Sequence, residues 1–322
     1  MLFRNGFYTP FILLFTPLFS QDATLPRERS GDRNNFTIST DVHLVILDVS
    51  VKDPKGGYVS GLAKENFRVY ENNKLQTITH FSHADIPVTV GLVIDNSGSM
   101  SPKRAEVVTA ALTFVRASNP HDEVFVVTFN DKVRPGLPPD TPFSDDPQEL
   151  RAALLKDKSA GRTCLYDAIA YSLRYLDKGR MDKKTLVVVS DGGDNASAIG
   201  WSQALRRTEE SRATIYTIGI FDEEDLDRNP AVLRKLAQIS GGEYFQLHNV
   251  DEIVQVCQKI ASDIRNRYTI AYTPSHLDST HAERRIKVEA SNPSRSRLIV
   301  HTRSRYIMPE RTLRSRNSED GK

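Results

Sequence analysis

Between residues 88 and 265 the chain alternates short apolar runs with segments of helical period, and this limits it to a sheet whose strands are joined by helices. The runs 88–94, 124–129, 185–189, 214–220 and 243–247 read as strands bounded by polar or glycine residues. Val107, Val108, Ala111, Leu112 and Val115 recur at helical spacing, and 148–155, 165–176, 202–212, 231–239 and 250–265 read as further helices. The reading is an α/β class, Rossmann-like doubly wound and mainly parallel sheet of ordinary domain size. Ligands of such sheets bind beyond the carboxyl ends of the strands, at a topological switch point.

Two of those ends carry chemistry. Asp95-Asn96-Ser97-Gly98-Ser99 follows the first run, and a carboxylate with two hydroxyls at alternate positions makes half of an oxygen cage for a hard divalent cation. Magnesium suits it best, because that small ion takes octahedral oxygens, keeps several waters and needs only one or two carboxylates. Thr163 stands before the 165–176 helix, and Asp191 ends the run 186–190 ahead of Gly192 and Gly193. Each residue also has an ordinary explanation: cap and turn for Asp95, Ser97 and Ser99, N-cap for Thr163, turn opening for Asp191. Taken jointly, in this order and at these ends, they favour a metal site. Asp167 falls one helical turn beyond Thr163, behind such a site, and Asp194 reads as an exposed turn residue.

Other chemistries lack their marks. Neither Gly-x-Gly-x-x-Gly nor Gly-x-x-x-x-Gly-Lys follows the first strand, so nucleotides have no glycine-rich phosphate cradle. A hydrolase would need Ser97 or Ser99 as nucleophile, yet no Gly-x-Ser-x-Gly elbow is present and none of the eight histidines stands at a strand end as base. His121, in a loop beside Asp122, reads as solvated or capping. The formal charge of +2 gives no reason to expect nucleic acid.

Both flanks read as β structure. Residues 42–51 alternate in part, Gly56-Gly57 marks a turn, and 67–70 lead into a hairpin turn at Glu71-Asn72-Asn73-Lys74; on the far side 268–274, 285–290 and 297–301 give three more strands. Neither flank buries a comfortable core alone, so the expectation is one β-sandwich built from N- and C-terminal strands, with the α/β module emerging from it as an insertion. The organisation expected is a signal peptide at 1–20, linker at 21–35, β segment at 36–84, α/β domain at 86–266, β segment at 267–309 and disordered basic tail at 310–322.

Arg4 precedes an apolar run at 11–20, too short for a bilayer span but suited to a signal-peptide core with cleavage after Ser20. No Cys near that point indicates a lipid anchor, and no later run is long enough to span a membrane. The chain's two cysteines, Cys164 and Cys257, are too few for a disulfide scaffold and read as small packed thiols, with pairing left open in an oxidising compartment. From Arg284 to Arg316 basic residues dominate, and Asp222-Glu223-Glu224-Asp225 with Asp227 forms an acidic run; both read as solvated before they read as sites.

The three pieces around Asp95, Thr163 and Asp191 resemble the metal-ion-dependent adhesion site (MIDAS) of von Willebrand factor type A (VWA) domains, Asp-x-Ser-x-Ser, then a Thr, then an Asp. The resemblance implies that Ser97 and Ser99 bind the metal directly, that Asp95 holds a coordinated water and orients them, and that Thr163 and Asp191 complete the shell. The vacant position would take a ligand carboxylate. From about residue 38 to 307 the chain also resembles secreted bacterial proteins with a VWFA-related domain, through Gly61-Leu62, Asn66-Phe67, Val69-Tyr70-Glu71, Gln76-x-Ile78, Phe81-Ser82, Leu165-Tyr166-Asp167-Ala168, Ser190-Asp191-Gly192, Asp194-Asn195, Ser240-Gly241-Gly242, Tyr268 and Tyr272-x-Pro274. Arg303-Ser304-Arg305-Tyr306 departs from that group's closing pattern, which has a Gly before the Tyr. The resemblance implies a secreted or periplasmic, non-enzymatic adhesion-type protein-binding module. Its cofactor would be Mg2+, or Mn2+ or Ca2+, and its ligand a protein presenting an Asp or Glu carboxylate. The alternative is a structural, scaffolding role in which the metal only stabilises the loops.

Overall fold

The structure, a computed structural model, describes residues 44–221, 228–247, 249–275, 283–292 and 297–308. The leader, linker and tail expected at 1–20, 21–35 and 310–322 and the acidic run at 222–227 lie outside them.

Six strands form the central sheet: β5 (Val88–Asp95), β6 (Glu123–Phe129), β7 (Val133–Pro135), β8 (Lys183–Ser190), β9 (Thr214–Ile220) and β10 (Tyr244–Leu247). Their order is β10-β9-β8-β5-β6-β7, parallel throughout except where β7 runs antiparallel to β6. Every residue of β5, β6 and β9 is buried, which is why these strands read as continuous apolar runs. The sequence reading omitted β7; three residues ending in a proline that cannot donate to a ladder leave no period to detect, and such a strand survives only at an edge.

Helices cover both faces. On one lie α1 (Arg104–Ala117), α2 (Pro147–Leu155) and α6 (Ile253–Arg265), whose apolar stripes share a core with Val90, Leu92, Val126, Val187 and Ile218. On the other, α3 (Leu165–Leu176) and α5 (Pro230–Ser240) pack on Val93, Phe125, Val127, Val188 and Ile215, with α4 (Trp201–Glu210) against α3 and α5. Cys164 and Cys257 are both buried and free, one in each core, so the sheet itself separates them. Among the described residues no helix is long and apolar enough to cross a membrane.

The flanking strands form two antiparallel sheets. One has the order β13-β1-β11-β4 and the other β14-β12-β2-β3, made of β1 (Val45–Lys52), β2 (Phe67–Glu71), β3 (Lys74–Gln76), β4 (Ile78–Ser82), β11 (Tyr268–Tyr272), β12 (Glu283–Ala290), β13 (Ile299–His301) and β14 (Arg305–Ile307). Each sheet mixes N- and C-terminal strands, alternating in the first and meeting at the β12–β2 pair in the second, and Leu47, Val49, Val51, Val69, Tyr268, Ile270 and Val288 close one core between them. The β2–β3 hairpin turns at Asn72 and Asn73, both at positive φ (46° and 64°), the backbone that a two-residue turn between twisted strands requires. β14, not expected as a strand, carries Tyr306, whose hydroxyl donates to Glu71 (3.0 Å). The chain leaves this sandwich at β4 and returns at β11, which pair side by side, so the α/β module is inserted between adjacent strands.

The period of β1 explains the junction. Leu47, Val49 and Val51 face the sandwich core, whereas Asp48, Ser50 and Lys52 alternate with them and face the module. There Arg267, between α6 and β11, donates to Asp263 (3.0 Å), Tyr216 (3.0 Å) and the carbonyls of Gly241 (2.7 Å) and Asp48 (3.3 Å). Asp263 also accepts from Ser50, and Lys52 binds Glu243. Burial works against the Asp263 carboxylate, but Arg267, Lys52 and these hydrogen bonds hold it down at about 2.

Candidate metal centre

Parallel pairing of β5 with β8 brings their carboxyl ends together, Ile94 opposite Val189, so that Asp95 and the pair Ser190-Asp191 meet as the strands run out. Asp95 is 2% exposed. One of its oxygens accepts from the Ser97 amide (2.9 Å) and the other from the Ser190 hydroxyl (2.6 Å). Asp191, also buried, accepts from the Gly193 amide (3.0 Å) and from the Ser99 hydroxyl (2.7 Å), and the Ser97 and Ser99 hydroxyls lie 3.1 Å apart. Asp95, Ser97, Ser99 and Asp191 thus form one hydrogen-bonded cluster. Ser97 is buried, Ser99 half-buried and Gly98 exposed, so the cluster opens to solvent at the tip of its own turn.

Thr163 is held at the margin of this cluster by backbone bonds. Its amide donates to the Asn195 side chain (2.9 Å), and its carbonyl accepts from the amides of Asn195 and Ala196 (both 3.0 Å). The loop that begins with Asp191 therefore carries Thr163, although among the described residues no hydrogen bond joins the Thr163 hydroxyl to the other four.

Several residues that the sequence did not single out build this arrangement. Ser190 bridges Asp95 and the Gly192 amide (3.0 Å). Asn96 and Arg104 tie the loop 154–159 to the turn: Arg104 binds Asn96, Ser159 (3.0 Å) and the Leu154 carbonyl (2.9 Å), while Asn96 donates to the Lys158 carbonyl (3.2 Å). Nothing in their residue types distinguished them from other loop polar groups. Asp194 is half-buried rather than an exposed turn residue: it accepts from the Tyr166 amide at the start of α3 (2.8 Å) and from the Ser197 hydroxyl (2.6 Å). Asp167 accepts from the amides of Ala198 (2.8 Å) and Ile199 (3.1 Å), so its work is to hold the loop 191–200 on α3. Gly192 sits at φ +79°, and a Cβ there would lie 2.4 Å from the Asn229 carbonyl, which explains why Asp191 is followed by glycine.

Burial, and next to it the charge of Asp191, pushes the Asp95 carboxyl up to about 7. Among the described residues no ion pair reaches either carboxylate, and no group of three or more His, Cys, Asp or Glu side chains is placed to hold a metal. The donor set is instead two carboxylates and three hydroxyl residues, all hard oxygens. It suits magnesium, manganese or calcium and does not suit a soft metal.

Residues 89–259 match the family profile described as von Willebrand factor type A domain. No curated protein matches the chain. Among solved structures, a von Willebrand factor type A protein from Catenulispora acidiphila is similar at 15% identity over 86% of this chain and 77% of its own, with a TM-score of 0.51. The vWF domain of the type V pili tip protein Mfa5 from Porphyromonas gingivalis is similar at 14% identity over 56% of this chain and 95% of its own, TM-score 0.47. An aerotolerance-related membrane protein from Bacteroides fragilis, bearing mutations to serine, is similar at 17% identity over 55% and 98%, TM-score 0.44. The first of these likenesses is one of fold.

Proposed function

The chain belongs to the von Willebrand factor type A domain family, and from that premise we propose that it is a secreted or periplasmic, non-enzymatic binding module. A divalent cation held by Asp95, Ser97, Ser99, Thr163 and Asp191 captures a carboxylate of a protein partner. Domains of this family commonly act in protein interaction. The observation that carries the reading is the buried cluster in which two carboxylates and two serine hydroxyls converge with Asp95 raised to about 7. The cation supplies positive charge to a site whose own two carboxylates repel each other. With both of its oxygens already held by Ser97 and Ser190, Asp95 acts by orienting the turn. Ser99, half-buried at the opening, lies nearest solvent and the incoming ligand. The apolar run at 11–20, outside the described residues, supports export.

A structural role is the second reading, favoured by the density of loop bonds around Asp191, Asn195 and Asp194. Calorimetric titration of magnesium and manganese into the metal-stripped full chain, beside a folded Asp95→Ala, Asp191→Ala variant, tests the site. Binding by the parent alone is the expected result, and equal behaviour of the two proteins would remove the metal. In the structural reading Asp95→Ala lowers the melting temperature more than it lowers capture of a carboxylate ligand.

A further inference from the structure

The rim of the candidate centre differs in chemistry on its two sides. On the β6 side the loop 157–163 lies against the Asp95–Ser99 turn, with the Ala160 amide donating to the Asn96 carbonyl (3.0 Å) and the Gly98 amide to the Gly161 carbonyl (3.1 Å). That loop presents Lys158 and Arg162 to solvent, and Lys132, next to Arg162's partner Asp131, is exposed as well. The Arg162 side chain is 66% exposed and pairs with Asp131, itself 43% exposed. A pair that open is weakly held, so its guanidinium is available for exchange to another carboxylate.

On the β8 side the loop 191–200 folds onto the start of α3 through Asp194 and Asp167 and delivers the chain to Trp201. The Trp201 and Tyr166 rings lie 5.6 Å apart at 47°, seated with Ala196 on the core beneath and half-buried. Aromatic side chains anchored on one face and wet on the other are the residue type that dominates protein-binding energies. The two sides join at Thr163: the chain just before it bonds the Asp95–Ser99 turn through the Gly161 carbonyl, and its own carbonyl accepts from the amide of Ala196, which packs on the same core as Tyr166 and Trp201.

We infer that the partner segment is bipartite: an acidic stretch whose metal-bound carboxylate is followed, toward the Lys158 and Arg162 side, by a second acid and, toward the Tyr166 and Trp201 side, by an aromatic or large aliphatic side chain. This rests on the metal-dependent reading above and adds what selects the ligand. The metal supplies attraction for any carboxylate; the basic and aromatic limbs supply discrimination, and they act at different groups of the ligand.

The test is calorimetry of the full chain in magnesium with capped glycine peptides that carry a lone Asp, Asp with neighbouring Glu, Asp with neighbouring Phe, or Asp between Glu and Phe in either sequence order. The bipartite peptide in one order binds at least about tenfold more tightly than the lone-Asp peptide. The double variant Lys158→Ala, Arg162→Ala loses the Glu gain alone, and Trp201→Ala the Phe gain alone, both with the magnesium titration of the parent; Trp201→Phe, which keeps the packing, retains most of the Phe gain. Equal affinity for all peptides in a protein that binds magnesium, or gains that survive the variants, overturns the bipartite rim and leaves the metal reading standing. A folded parent that binds no magnesium refutes both.

Discussion

Asp95 in an unfolded chain loses its proton near pH 4, about 3.9, whereas in the folded protein burial and Asp191 raise it to about 7. Between those values the folded state keeps a proton that the unfolded state has lost, so stability of the metal-free protein falls as pH rises through this window. A cation competes for the same carboxylate, and magnesium affinity rises with pH up to about 7 and then levels. Thermal melts with and without magnesium across that range check both slopes. Asp95→Asn abolishes the titration and the pH dependence together, and a slope unchanged in that variant would contradict the assignment. Gly192→Ala forces a side chain into a left-handed backbone and against the Asn229 carbonyl. It destabilises by roughly 1–3 kcal/mol and weakens magnesium binding with it, read from denaturant titration and calorimetry. At this scale the acidic and hydroxyl residues of the cluster were legible, because their types and spacing announce hard-cation chemistry. Ser190, Asn96 and Asn195 fell within the quoted motifs but their roles were not legible, since a serine or asparagine in a loop looks the same whether it orients a site or faces water.

At the scale of elements, the strands and helices of the α/β module follow from period and apolar content, and most ends shifted by only a residue or two. The 202–212 helix is observed as Trp201–Glu210, and that of 231–239 as Pro230–Ser240, closed by Gly241 at φ +85°. Burial at the end of α6 does not follow from residue type. Asp263 and Arg267, four residues apart, look like an exposed helical pair, yet both side chains are 3% exposed and bind β1 and β9. Removing one partner strands a buried charge, so Asp263→Ala and Arg267→Ala each cost about 3–5 kcal/mol, and the double variant costs less than their sum. Chemical denaturation of the three proteins measures the coupling, and additive losses would deny it. Asp263, held at about 2, contributes stability above its unfolded value near 4, about 3.9, and this is lost as pH falls through about 2.

Over the whole molecule, the α/β module and the sandwich share the junction of Lys52, Glu243, Asp263, Arg267 and Tyr216, and β4 and β11 at the insertion point are neighbours in one sheet. Unfolding is therefore expected as one transition, with Trp201 fluorescence reporting the module and amide exchange of β1 and β11 reporting the sandwich; two separated midpoints would show independent domains. The α/β class, the mainly parallel sheet and the residue types at its carboxyl edge were determined by the sequence alone, because hydrophobic period and strand-end chemistry are local properties. Only the tertiary structure decided which N- and C-terminal strands pair in one sandwich, that Cys164 and Cys257 lie on opposite faces of the sheet, and that Tyr166 and Trp201, from two different helices, stack against each other. Those facts depend on which distant segments come to lie side by side, and pairing of that kind leaves no mark in any local stretch of residues.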